Sequence, residues 1–174
     1  MTNNLKVRAL ERSDLHFIHD LNNNRNVMTY WFEEPYESYG ELQELYQKHI
    51  HDDAERRFVV EAQDGELIGL VELIEINYIH RSAEFQIIIA PEFQGRGYAE
   101  QVINHALDYS FNILNLHKIY LLVALQNEKA LHLYQKCGFI EEANLVEEYF
   151  INGKYHDVKR MYILQNQYQN NAAE

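Results

Sequence analysis

The chain has 174 residues, 47% of them hydrophobic, a length that suits one core. Its 15 Lys and Arg against 27 Asp and Glu give a net charge of −12, a surface that repels phosphate backbones and argues against nucleic acid while admitting polycations. Cys137 is the one cysteine, which excludes an intrachain disulfide and a cysteine zinc site. No apolar run approaches the ~20 residues that span a bilayer, and Met-Thr-Asn-Asn does not open a secretory signal, so the expected setting is the cytoplasm with no membrane partner. The acid surplus equally serves ordinary solubility and names no ligand by itself.

Leu5 to Leu10 alternates as a strand does, and Ser13 is placed to cap a helix with Leu15, Ile18 and Leu21 on one face, ended by Asn22 to Asn24. The aromatic and acidic segment Tyr30-Trp31-Phe32-Glu33-Glu34-Pro35-Tyr36-Glu37 follows. Ser38 with Glu41 forms a capping box before a second helix, with Leu42, Leu45, Tyr46 and Ile50 at helical spacing. Phe58 to Ala62, the turn Asp64-Gly65 and Glu66 to Ile76 read as a hairpin. Ala83 to Ala90 is a third strand, whose Ile87-Ile88-Ile89 run lacks alternation and predicts cover on both faces.

Tyr98 to Leu114 predicts a long helix burying Val102, Ile103, Ala106, Leu107 and Phe111. Lys118 to Ala124 is a buried strand, and Glu128 to Lys136 a short helix closed by Gly138. Val146 to Ile151, the turn Asn152-Gly153 and Lys154 to Leu164 make a last hairpin. The fold class is therefore α/β (α+β), a mixed, mostly antiparallel sheet flanked by helices in the order β-α-α-β-β-β-α-β-α-β-β. Residues 1–165 form one domain, and a polar tail, 166–174, is expected to fray.

Between the central strand and the long helix stands Gln94-Gly95-Arg96-Gly97-Tyr98-Ala99. Its glycines permit a tight turn, and the free N–H groups at the helix start face any anion there, with Arg96 adding charge at the rim. A plain strand-to-helix turn uses the same glycines. The Walker lysine and the full dinucleotide fingerprint are both missing.

Gln94-x-x-Gly97-x-Ala99 resembles the acetyl-CoA pyrophosphate motif of the GNAT superfamily of N-acetyltransferases, and Asn127-Glu128-Lys129-Ala130-x-x-x-Tyr134-x-x-Cys137-Gly138-Phe139 is similar to its second motif. Across nearly the whole chain, segments such as Tyr30 to Glu37, Lys48 to Asp52, Glu55 to Glu61 and Ala83 to Ile89 resemble the bacterial spermidine N-acetyltransferases of that superfamily. The resemblance implies acetyl-CoA as cosubstrate, held by the backbone of Ile87, Ile88 and Ile89, by Gln94, Gly95, Arg96, Gly97, Tyr98 and Ala99, and by Asn127, for which an N-cap role is an equal alternative. It implies spermidine or spermine as acceptor at Glu33, Glu75, Glu84, Phe85 and Gln86, with Glu84 nearest the attacking nitrogen.

Tyr134 is the expected general acid, since a phenol can protonate a departing thiolate. Glu72 and Glu75 point to opposite faces if their strand is regular, and Glu75 is favoured for the pocket, Glu72 being expected in solvent. The resemblance further implies a regulatory polyamine site between subunits of a dodecamer, drawing on Met28, Glu33, Glu41, His49, Ile50, His51 and Asp52. His49 and His51 face different sides of a helix, so they do not make a metal site. A divalent cation between Glu33 and Glu75 in the absence of amine is a further expectation, with no obligatory metal. Acetylation of a protein N-terminus or an antibiotic amine, and a polyamine sensor with little turnover, remain as alternatives.

Overall fold

The computed structural model describes residues 5–171. In chain order it comprises β1 (Lys6–Ala9), α1 (Leu15–Asn22), α2 (Arg25–Trp31), α3 (Tyr39–His49), β2 (Arg56–Glu61), β3 (Leu67–Asn77), β4 (Ser82–Ile89), α4 (Tyr98–Asp108), β5 (Lys118–Ala124), α5 (Glu128–Lys136), β6 (Ile140–Ile151), β7 (Lys154–Leu164) and α6 (Gln165–Asn171). The strands form one sheet ordered β1-β2-β3-β4-β5-β7-β6. Neighbours are antiparallel except β4 and β5, which run parallel through the α4 crossover. This is the mixed, mostly antiparallel sheet with flanking helices that the sequence predicts, and β4 is its central strand.

Both hairpin turns carry the torsions their residues favour. Asn152 and Gly153 have φ 50° and 81°, the pair of left-handed residues that a two-residue hairpin needs. Two helices are additional to the expected order. Asn24, read as part of a helix stop, is also an N-cap, its side chain accepting from the N–H groups of Asn26 and Val27, and it starts α2. The polar stretch is ordered as far as it is described: α6 takes up Gln165–Asn171, Gln165 Nε2 donates to the Phe111 carbonyl (2.9 Å), and the Tyr168 ring lies 5.3 Å from that of Phe111, while 172–174 lie outside the described residues.

Other expectations need correction. Ser13 lies inside a short 3₁₀ turn, and it is Asp14 that accepts the Glu11 N–H at 2.8 Å. On α3 the capping box forms as expected, but Leu45 and Ile50 are exposed and only Leu42 is buried. The helix from Tyr98 ends in a π-helical turn, Tyr109–Ile113, beside the buried Ser110, whose hydroxyl donates to the Ala106 carbonyl at 2.6 Å. β6 starts at Ile140 rather than Val146; as an almost wholly exposed edge strand it has no buried face to impose alternation.

Register sorts the sheet into two unlike faces. One carries Val71, Leu73 and Phe85 in the core, with Phe58 packed on Tyr109. On the other, cross-strand neighbours Arg57, Glu72 and Gln86 form one row, and Ile74, Glu84 and Tyr120 the next. Glu72 is therefore not the solvated strand residue expected. It is 3% exposed and ion-paired with Arg57, which also meets Glu55 at 3.0 Å. Removing one partner of such a pair strands the other without water, whereas replacing both with apolar groups does not. Arg57→Met should lower stability by about 3–5 kcal/mol and Arg57→Met with Glu72→Leu should recover most of it, read by urea unfolding at fixed subunit concentration; equal midpoints for Arg57→Met and the parent chain would refute this account.

Candidate functional site

β4 and β5 pair only at Ser82/Lys118, Ala83/Ile119 and Glu84/Tyr120. Beyond that point β4 stays bound to β3 as far as Ile89, and β5 stays bound to β7 as far as Ala124. The two central strands therefore part, leaving a gap lined by backbone from Gln86 to Ile89 that forms no ladder with β5. Ile88 and Ile89 are buried and Ile87 is half-buried, so their side chains belong to the core and main chain faces the gap.

At the open end of the gap, Gln94 Nε2 donates to the Ile89 carbonyl (2.9 Å) and ties the following turn to β4. Gly95 and Gly97 have φ 75° and 80°, and a Cβ at either would meet nothing within 4 Å, so the need for glycine here is torsional and not steric. Gly97 leads directly into α4. Among the described residues none accepts a hydrogen bond from the backbone N–H of Gly95, Arg96, Gly97, Tyr98 or Ala99. Five donors at the positive end of an 11-residue helix suit an anion. Arg96 stands at the rim, donating to the Glu92 carbonyl (2.9 Å) over the Phe93 ring.

The acid cluster lies where the strands separate. Glu84 accepts from Gln86 Nε2 at 2.9 Å. Loss of water around it, then its hydrogen bond to Gln86 in the opposite sense and the nearby charge of Glu75, leave the Glu84 pKa above the usual carboxylate value. Glu75 reaches the same place because β3 is irregular. The register slips between Ile74 and Asn77, and Glu75 takes φ 52°, so the opposite-face rule for Glu72 and Glu75 does not govern this strand. Its carboxylate accepts from the Tyr120 hydroxyl at 2.7 Å. Tyr149 stacks face to face on Phe32 at 4.2 Å, and its phenol pKa is raised, first by burial and then by Glu84. Phe85 is 2% exposed, 6.3 Å from the Phe139 ring, so of this predicted contact only the main chain is free to meet a substrate.

On α5, Asn127 is the N-cap: its side-chain oxygen accepts from the Ala130 N–H at 3.2 Å, and its amide N–H₂ has no partner among the described residues. Tyr134 is half-buried, edge-on to Phe139, and its hydroxyl likewise has no partner among the described residues. Burial, with a smaller contribution from Cys137, raises the phenol pKa, so it holds its proton at neutral pH. The Cys137 thiol is half-buried and pushed up to about 11, mainly by desolvation, which makes it a poor nucleophile.

The residues expected at a regulatory site fall in two places within one chain. Met28 and Glu33 line a cleft of about 260 Å³ between the end of α2 and the β6–β7 turn, with Phe32, Tyr36 and Phe150. The Glu33 pKa is raised above the usual carboxylate value, first by loss of water, with Arg57 opposing and Glu37 adding to the rise. Glu41, at the start of α3, is engaged by Ser38. At the other end of α3, His49 Nδ1 lies 3.3 Å from Glu55, Ile50 and His51 are exposed, and Asp52 accepts from the Ala54 N–H. As for a cation, the described residues contain no group of three or more His, Cys, Asp or Glu side chains able to hold a metal, so Glu33 and Glu75 gain no further ligand within the chain. Tyr120, Tyr149, Arg57 and Arg160 all enter this face without having stood out in the sequence.

Residues 24–139 match the model of the acetyltransferase (GNAT) family. The chain is 73% identical over 172 residues to the spermidine N(1)-acetyltransferase of Vibrio cholerae serotype O1, covering 99% of each sequence. A crystal structure of spermidine N-acetyltransferase from Vibrio cholerae in complex with CoA and spermine has a TM-score of 0.94 at 75% identity, covering 95% of this chain and 98% of that one. A dodecameric structure of spermidine N-acetyltransferase from Vibrio cholerae in an intermediate state has a TM-score of 0.88 at 74% identity, covering 97% of this chain and 98% of that one. No helix among the described residues is long and apolar enough to cross a membrane.

The raised pKa of Glu84 has a consequence for stability. A carboxyl that binds its proton more tightly when folded favours folding below the ordinary carboxylate range, and that contribution is lost as pH rises through the folded pKa. Glu84→Gln should therefore be more stable than the parent chain near pH 7, with the advantage shrinking as pH falls through the carboxylate range. Denaturant midpoints at several pH values read this directly, and a constant difference across pH would contradict it.

Proposed function

The chain belongs to the acetyltransferase (GNAT) family, and on that basis we propose that it transfers the acetyl group of acetyl-CoA to a primary amine of a polyamine, spermidine or spermine, by direct attack in a ternary complex. The observation that carries this proposal is the parted β4–β5 pair, which opens main-chain donors beside the unpaired N–H groups of Gly95 to Ala99 and sets an acid cluster at the vertex. The relatives named spermidine N-acetyltransferase supply the substrate class.

The gap fits the cosubstrate on these grounds. Backbone N–H groups of Gly95 to Ala99, with Gln94 and Arg96 at the turn, would hold the diphosphate; main chain of Ile87 to Ile89 and the free amide of Asn127 would hold the pantetheine arm. Bound there, acetyl-CoA supplies the acyl group already activated as a thioester.

The chain's own groups meet the remaining demands. An alkylamine with a pKa near ~10.4 is only about one part in 10³ neutral at pH 7, a cost of roughly 4–5 kcal/mol. Carboxylates bind a polyamine yet raise the pKa of every ammonium beside them, so the charges that grip must sit by the remote amines. Glu75 and Glu33 take that part, and Glu84, whose affinity for a proton is raised, takes the proton from the attacking nitrogen directly or through water. Main-chain N–H groups of β4 polarise the acyl carbonyl. Tyr134, kept protonated by burial, gives its proton to the departing sulfur, a transfer eased where the same burial disfavours a free thiolate.

We assign this reaction to the cytoplasm and to a homo-oligomer, by analogy with the dodecameric relative. Met28, Glu33, Glu41 and His49 to Asp52 would come together across subunits as a regulatory polyamine site. Tyr134→Phe should lower kcat for spermidine by about 10²–10⁴ with its KM and the thermal midpoint little changed, followed by thiol release from acetyl-CoA. In the same assay spermidine and spermine should outrun aminoglycosides and peptides; preference for a peptide or an aminoglycoside would overturn the polyamine assignment, and undiminished kcat would remove Tyr134 from its role.

A further inference from the structure

Glu75 is the one member of the acid cluster held by a strained backbone. Its φ of 52° lies in a region that costs a residue with a Cβ about 1 kcal/mol or more, and the β3 irregularity that imposes it also turns the carboxylate toward β5. An exposed glutamate on such a bulge has three rotatable bonds and no reason to point one way. Tyr120 supplies that reason, its hydroxyl donating to Glu75 Oε2 at 2.7 Å.

Tyr120 is itself fixed from two directions. It pairs with Glu84 at the last joined position of β4 and β5. The guanidinium carbon of Arg160 lies 4.0 Å from the centre of its ring, a cation–π contact. Arg160 Nε is also 3.2 Å from Glu142, so the guanidinium is held between that carboxylate and the Tyr120 ring. Loss of water and the bond to Glu75 both raise the phenol pKa, which keeps it a donor at any working pH.

We infer that Tyr120 is a positioning residue of the acceptor site, whose hydroxyl holds the Glu75 carboxylate on the remote ammonium of a polyamine and away from the nitrogen beside Glu84. The inference rests on the reading of Glu75 as a polyamine-gripping group. Its chemical sense lies in the two incompatible tasks of the cluster. A second free carboxylate drifting toward the attacking nitrogen would strengthen that nitrogen's hold on its proton, and a phenol that can donate but carries no charge restrains the carboxylate without competing for the substrate.

The test is steady-state kinetics on the full chain in its native assembly, with spermidine and acetyl-CoA varied in turn, for the parent, Tyr120→Phe, Glu75→Ala and the double variant. Phenylalanine keeps the ring against Arg160 and removes only the donor. Tyr120→Phe should raise KM for spermidine about tenfold, as for one hydrogen bond to a charged group, leave KM for acetyl-CoA unchanged and keep kcat within about twofold. In the Glu75→Ala background it should add nothing. Arg160→Gln, a second variant, should raise the same KM by a smaller factor. If Glu75→Ala raises KM for spermidine while Tyr120→Phe does not, or if the two effects add in full, the positioning role is overturned and the polyamine site stands. If Glu75→Ala itself leaves that KM unchanged, the reading of Glu75 fails and takes this inference with it.

Discussion

The parting of β4 from β5 is the constraint on which the rest of the site depends. Two parallel strands in the middle of a sheet would ordinarily satisfy one another's backbone along their length. Here they join over three residue pairs and separate while each remains bound to its outer neighbour. The backbone groups left open sit within the molecule rather than on a solvent edge, and buried polar groups of this kind call for partners. An extended ligand with its own amides meets that need, and the N–H groups of the glycine turn, without a partner among the described residues, extend the same demand to an anion. The fold therefore defines a slot by its unmet hydrogen bonds before any side chain is considered.

At the vertex of the slot the sheet places carboxylates in settings that differ enough to give them different properties. Glu72 is buried and neutralised by Arg57, and serves as structure. Glu84 is partly stripped of water without a cation close enough to outweigh that loss, which makes it the better proton acceptor. Glu75 is exposed, displaced by a bulge and hydrogen-bonded to a phenol. Three glutamates on adjoining strands thus sit in three unlike settings, and the differences follow from burial and hydrogen bonding rather than from residue type.

Much of the fold was legible because its signals are local. The Asp64-Gly65 and Asn152-Gly153 turns, the Ser38/Glu41 box, and the apolar runs at Ile87 to Ile89 and Ile119 to Ala124 each act over a few residues, and each led to the element found. α2 was missed because Asn24 serves equally as the end of one helix and the cap of the next. The bulge at Glu75 had no signature, since a glutamate gives no hint of positive φ. The strand separation is a property of three strands together, and Tyr120 meets Glu75 across 45 positions of sequence, so neither has a local trace. Glu84, Tyr134, Asn127 and the glycine turn stand out through the family resemblance, whereas the parted strands are visible only in the sheet.

The features that equip the site are also those that work against stability. A carboxyl whose ionised form is disfavoured, a non-glycine residue at positive φ and a length of unpaired strand each cost free energy in the folded chain. Their cost falls on positions adjoining a packed part of the sheet, where Val71, Leu73, Phe85 and Ile119 are enclosed. That arrangement has a direct physical logic. Strain persists where the surrounding structure over-determines the backbone, and at Glu75 that structure is the β3–β4 ladder on one side and the hydrogen bond from Tyr120 on the other.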